Sequence, residues 1–239
     1  GTESWAVGTG HAVTWDTFGA IAEVDIYLST TGGAAGGGYE VSPNVATQVS
    51  AVLETYSWNI PAATAISKNC FIKVQDHSNA SVWDESDAAF EIKGQVDLTY
   101  PDLSTTKWFY NEAAEIRWTP TGNFSQVLIE YSTDNFVTPV TIVQTDAGAS
   151  GVPQTFNWGS VTIPCSDSVK IRITDPNSTT VTDQSSQAFA VRGRLTILVP
   201  NGTETWKVNT QQSISWATKG TIPNIKLYFS KDGGAFTAI

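Results

Sequence analysis

A pair of tryptophans ten residues apart occurs three times in this chain, as Trp5 and Trp15, Trp108 and Trp118, and Trp206 and Trp216. Fourteen residues after the second Trp of each pair, an alternating segment ends in serine: VDIYLS at Ser29, VLIEYS at Ser132 and IKLYFS at Ser230. A third Trp opens a later segment twice, in YSWNIP (Trp58) and in FNWGSVTIP (Trp158). FIKVQD, ending at Asp76, then corresponds to VKIRITD, ending at Asp175, and Phe90 and Phe189 each follow their Asp by fourteen residues. Only Trp83 stands outside this register. A fixed period of about 100 residues marks a repeated structural unit, and that limits the architecture before any local reading begins.

Within the period the pattern is β. VDIYL, FIKV, KIRI and IKLYF alternate residue by residue, as a strand does when one face is buried. Turn clusters of Gly, Asn, Asp, Ser and Pro separate these segments, and no helical periodicity persists. About seven short strands in 100 residues describe an immunoglobulin-like sandwich, so the expected fold is all-β, with tandem sandwiches. The expected units are residues 1–93, 94–193 and 194–239, joined through Lys93-Gly94-Gln95 and Arg192-Gly193-Arg194, linkers too short to separate them. Trp5, Trp15, Trp58, Trp108, Trp118, Trp158, Trp206 and Trp216 are expected in the cores. Trp15, Trp118 and Trp216 alternate with Val13, Ile116 and Ile214, and each ring N–H needs one acceptor.

Composition narrows the function. A net charge of −10 makes nucleic acid a poor partner, and no apolar run approaches the length of a membrane-spanning helix. Cys70 and Cys165 lie at positions that do not correspond between repeats, so no disulfide framework is expected. The two histidines, His11 and His77, have no Cys or His at zinc-ligand spacing. Nucleophile-elbow and phosphate-loop motifs are both absent from the sequence. Neither catalysis nor a cofactor is expected.

Two polar features repeat or cluster in turns. Asp76 with Asp84 and Asp175 with Asp183 sit eight apart around the turns HSNASVW and PNSTTVT, which would set each pair face to face across a hairpin. Such carboxylates are weak Ca²⁺ candidates; bonding of turn amides is the favoured reading, because no dense run of oxygen ligands accompanies them. Asn79, Asn123, Asn177 and Asn201 head Asn-x-Ser/Thr sequons in expected turns and are candidate glycosylation sites.

PNGTETWKVNTQQSISWATKGTIPNIKLYFSKDGG, residues 200–234, resembles the Ig-like repeat of fungal cell-wall glucan-assembly proteins of the KRE/KNH type, also found in tandem in large bacterial surface proteins. The shared marks are a Pro-Asn-Gly turn before the first Trp, a second Trp in the next strand, and a Ser-x-Asp-Gly-Gly turn closing the following one. The third repeat carries all of them, whereas the first substitutes the longer loop TTGGAAGGGYE and the second carries PDLSTTKW and STDNF. The resemblance implies a surface-displayed array and brings no catalytic residues.

Gly1 aligns with Gly202 and Ile239 with Gly38, so the first repeat starts after the position of LTILVP and the third covers only a first half. Either the chain is a window on a longer array, or one subunit's terminal segment completes another's domain by strand addition. The expected function is therefore structural: an extracellular fibre subunit or cell-surface stalk that associates with itself or continues as a longer array. The alternative is a carbohydrate-binding module or adhesin of a larger secreted protein, with polysaccharide as partner. That alternative calls for aromatics exposed in a row, for which Trp83, Phe109, Tyr110 and Phe136 are candidates.

Overall fold

The structure, a computed structural model, describes residues 3–40 and 44–239. Gly1, aligned above with Gly202, lies outside them. The first unit contains β1 (Ser4–Ala6), β2 (Gly10–Thr14), β3 (Glu23–Ser29), β4 (Ala46–Ser50), β5 (Thr55–Asn59), β6 (Ser67–Asp76), β7 (Trp83–Glu85) and β8 (Phe90–Lys93). One sheet runs β1-β8-β6-β3-β4, with β7 also on β6, and the facing sheet is the pair β2-β5.

The second unit repeats this plan with one addition. Its strands are β9 (Gln95–Tyr100), β10 (Lys107–Phe109), β11 (Ala114–Thr121), β12 (Gln126–Ser132), β13 (Val140–Asp146), β14 (Gln154–Trp158), β15 (Ser166–Asp175), β16 (Ser178–Gln184) and β17 (Phe189–Arg192). The large sheet runs β10-β17-β15-β12-β13 with β16 on β15, and the facing sheet, β14-β11-β9, has three strands where the described residues of the first unit form two. The extra strand is β9, whose Val96 and Leu98 point into the core while Asp97 and Thr99 face water.

The third unit holds β18 (Arg194–Val199), β19 (Ser215–Lys219), β20 (Tyr228–Phe229) and β21 (Thr237–Ala238), paired as β18-β19 and β20-β21. Trp58, Trp108 and Trp118 are buried, and Trp5, Trp15 and Trp158 are half-buried against the same cores. Trp206 and Trp216 depart from the expected core role. They are 39 % and 40 % exposed, because among the described residues no second sheet closes over β18 and β19. Indole N–H groups find oxygen acceptors, Trp118 bonding Ala147 O at 3.0 Å, Trp15 bonding Ala51 O at 3.2 Å and Trp108 bonding the Tyr100 hydroxyl at 3.2 Å.

The serine that closes the alternating segment of each unit, at the end of β3, at the end of β12 and just after β20, bonds the turn that follows. Ser29 Oγ accepts from Gly33 N–H, Ser132 Oγ accepts from Phe136 N–H, and Ser230 Oγ donates to Gly234 O, each fastening the backbone four residues on. The four-residue span is shared, but the first two serines accept from an N–H whereas Ser230 donates to a carbonyl.

Candidate functional site

The joints between units recur at equivalent residues. In the second unit Gly122 has φ +97°, and a Cβ there would lie 3.0 Å from Val7 Cγ2 and 3.2 Å from Ile66 Cδ1 of the first unit. In the third unit Gly220 has φ +80°, and a Cβ would lie 2.8 Å from Cys165 Sγ and 3.0 Å from Tyr110 Cβ of the second. Val7 and Tyr110 both stand two residues after the first Trp of their repeats, and Ile66 and Cys165 both stand ten residues before the terminal Asp of the long strand. Each linker glycine is pressed by the following unit in the same way: Gly94 faces Phe124 and Thr121 O, and Gly193 faces Ile222 and Lys219 O. The residue after the linker glycine then ties back. Gln95 Nε2 donates to Val7 O at 2.6 Å, while Arg194 Nη2 donates to Glu112 Oε2 at 2.9 Å and stacks over Phe109. One joint geometry has been used twice.

A groove of about 780 Å³ lies in the first unit between β2 and β7, lined by Val13, Trp15, Phe18, Trp83, Asp76 and Asp84 among others. The second unit has β9 in this place. There β9 pairs with β11, Leu98 opposite Trp118, and Leu98 N–H donates to Asp183 Oδ2 at 2.7 Å across the other edge. Asp84 is the first unit's counterpart of Asp183, paired with Val74 as Asp183 is with Ile173. The groove thus lies where the second unit places a strand and carries the equivalent acceptor.

These pairings revise the reading of the acid pairs. Asp84 sits opposite Val74 and Asp183 opposite Ile173, so neither faces Asp76 or Asp175 directly; each pair is diagonal on one face of its hairpin. Asp76 accepts from Ser78 N–H and Asp175 from Asn177 N–H, the turn-amide role. Among the described residues no group of three or more His, Cys, Asp or Glu side chains converges as a metal site would require. Asn79, Asn123, Asn177 and Asn201 are all exposed in turns or at strand ends. The four aromatic candidates form no row: Trp83 lines the groove, Phe109 lies beneath Arg194, Tyr110 abuts Gly220, and Phe136 lies under Arg172. Both cysteines are free, Cys70 buried and Cys165 at the second joint. His11, in β2, stacks flat on Trp5 of β1, and His77 Nδ1 meets the Asp25 carboxylate at 3.0 Å.

No family model and no curated protein matches the chain. Among solved structures, fibronectin(III)-like modules of Clostridium thermocellum CbhA match at 12 % identity over 80 % of this chain and 90 % of theirs, TM-score 0.27. Three N-terminal domains of the bacteriophage RB49 highly immunogenic outer capsid protein match at 11 % over 98 % and 75 %, TM-score 0.26. A marsupial T cell receptor matches at 9 % over 99 % and 89 %, TM-score 0.29. The strand pairing described above carries the assignment. The fold is a tandem immunoglobulin-like β-sandwich. Among the described residues no helix is long and apolar enough to cross a membrane.

Proposed function

We propose that this chain is a non-catalytic structural module of an extracellular or cell-surface fibre or stalk, related in kind to the Ig-like arrays of the KRE/KNH type. The recurrence of one joint carries the reading. A binding domain needs a site but has no need for equivalent interfaces between successive units, whereas a stalk needs each unit set on the last in a fixed orientation. Pressing Gly122 and Gly220 against the preceding unit, with Gln95 and Arg194 tying back, limits bending at a linker with no spare length. Exposed sequons suit display outside the cell. Small-angle X-ray scattering of the 239-residue chain tests this: a rod-like profile with a cross-section one sandwich wide is expected, and independently tumbling units would overturn it.

A second reading has one observation in its favour. Trp15, Phe18 and Trp83 beside Asp76 and Asp84 make an aromatic, acidic groove of the sort sugars use. Titration with polysaccharide while following tryptophan fluorescence separates the two, since the structural reading expects no response.

A further inference from the structure

We propose that the groove beside β2 receives strand β18 of a second copy of this chain, so that copies join head to tail by strand donation. The proposal rests on the structural reading above and names its partner and contact. The template lies within the molecule, because β9 fills the corresponding place in the second unit. β18 follows β9 position by position, with Leu195 and Ile197 where β9 has Val96 and Leu98. It also pairs in the same register, Ile197 opposite Trp216 as Leu98 is opposite Trp118. The two strands differ in what they bury. Val96 and Leu98 are inside a core, whereas Leu195 and Ile197 are 54 % and 58 % exposed.

Laid beside β2 in that register, β18 would set Ile197 opposite Trp15 and bring the Ile197 N–H to Asp84, as Leu98 N–H comes to Asp183. The end of the first unit fits the rest of the donor. Gly19 is the counterpart of Gly122 and Gly220, has φ +90°, and has nothing within 4 Å of where its Cβ would be. Phe18 beside it is 87 % exposed. A donor's second unit, arriving with β18, would make there the joint it makes with its own third unit. Charge agrees: Arg192 and Arg194 flank Gly193 on the donor, and Asp16, Asp76 and Asp84 rim the groove. The exchange trades the β18–β19 pairing for a β18–β2 pairing, so the ladder is kept while exposed apolar side chains enter a core. Every sandwich along the resulting fibre would meet the next through one geometry, with β19 to β21 displaced.

Sedimentation velocity on the full 239-residue chain tests this with two surface variants. Ile197→Asp spoils the donor, because its carboxylate would be buried in the groove; Asp84→Lys spoils the acceptor, because an ammonium cannot accept the strand N–H. Wild type is expected to form larger species as concentration rises. Each variant alone should associate about a hundredfold more weakly or worse. A one-to-one mixture should give a dimer and nothing larger, since one partner keeps only its groove and the other only its strand. Wild type that stays monomeric, variants that associate like wild type, or a mixture that grows beyond the dimer would each overturn the proposal. A synthetic peptide of residues 193–200 that bound a monomeric wild type would overturn the second copy as occupant and give the groove to a strand from elsewhere. The scattering profile of that monomer would still judge the structural reading separately, and near-ultraviolet circular dichroism checks that both variants fold.

Discussion

At the scale of single residues, Ser132 is fully enclosed at the end of β12, and its hydroxyl oxygen accepts from both Asp134 N–H and Phe136 N–H. Removing it leaves those amides without their acceptor, so Ser132→Ala should cost about 1–3 kcal/mol, read as a lower urea midpoint at unchanged slope. Asp25 gives the pH dependence. Burial raises its pKa, but the Gln48 N–H, the Thr47 hydroxyl and His77 together outweigh that and hold the carboxyl below its ordinary value. A lowered folded pKa means the carboxylate stabilises the fold above the unfolded value of about 4 and loses that contribution as pH falls through the folded one. Asp25→Asn should therefore be less stable at neutral pH and flatten the acid limb of urea midpoint against pH. Some residue roles were readable in advance. The serine after each alternating strand was visible as a repeated position, and Trp118 in alternation with Ile116 announced a core face. The role of Asp183 was not, because its amide partner Leu98 lies 85 residues away and nothing local distinguishes that carboxylate from one that bonds its own turn.

At the scale of elements, alternation specified strands in β3, β6, β12 and β15 because a period of two reports a face that needs a core, although β3 proves to be buried on both faces from Val24 to Ser29. The joint glycines were legible only as turn residues. What separates Gly122 from an ordinary turn glycine is Val7 and Ile66, which come from another unit, and no pattern within TGN encodes that. A comparison of three alanine variants isolates the joint. Gly19→Ala meets open space and should cost only the strain of positive φ, about 1–2 kcal/mol. Gly122→Ala and Gly220→Ala carry similar strain and also push a methyl against the preceding unit, so they should cost more and loosen the joint. Hydrogen exchange at the Gln95 and Arg194 amides should quicken in Gly122→Ala and Gly220→Ala respectively, and in neither case for Gly19→Ala.

At the scale of the whole molecule, the repeat was plain in the sequence, and so was the inequality of its units, since the first repeat starts after the position of LTILVP. Among the described residues the second unit gathers seventeen buried residues into its core and closes its smaller sheet with β9, whereas the first gathers ten around a two-stranded sheet with a groove along one edge. Apolar burial is the main favourable contribution to folding, and the buried residues fall into two separate cores, so the two sandwiches should not unfold as one cooperative block. Thermal unfolding followed by calorimetry should resolve two transitions, the lower from the first unit, with Trp58 in β5 reporting that loss and Trp118 in β11 the later one. The β18 peptide, residues 193–200, connects this asymmetry to assembly. If a strand belongs beside β2, ligand linkage requires the peptide to raise the lower transition and leave the upper one in place, by about 2.7 kcal/mol at a hundredfold excess over its dissociation constant. The groove-blocked variant Asp84→Lys should show the same two transitions and no response to peptide. An upper transition that moved with the lower would mean that the joints couple the sandwiches more tightly than their separate cores imply.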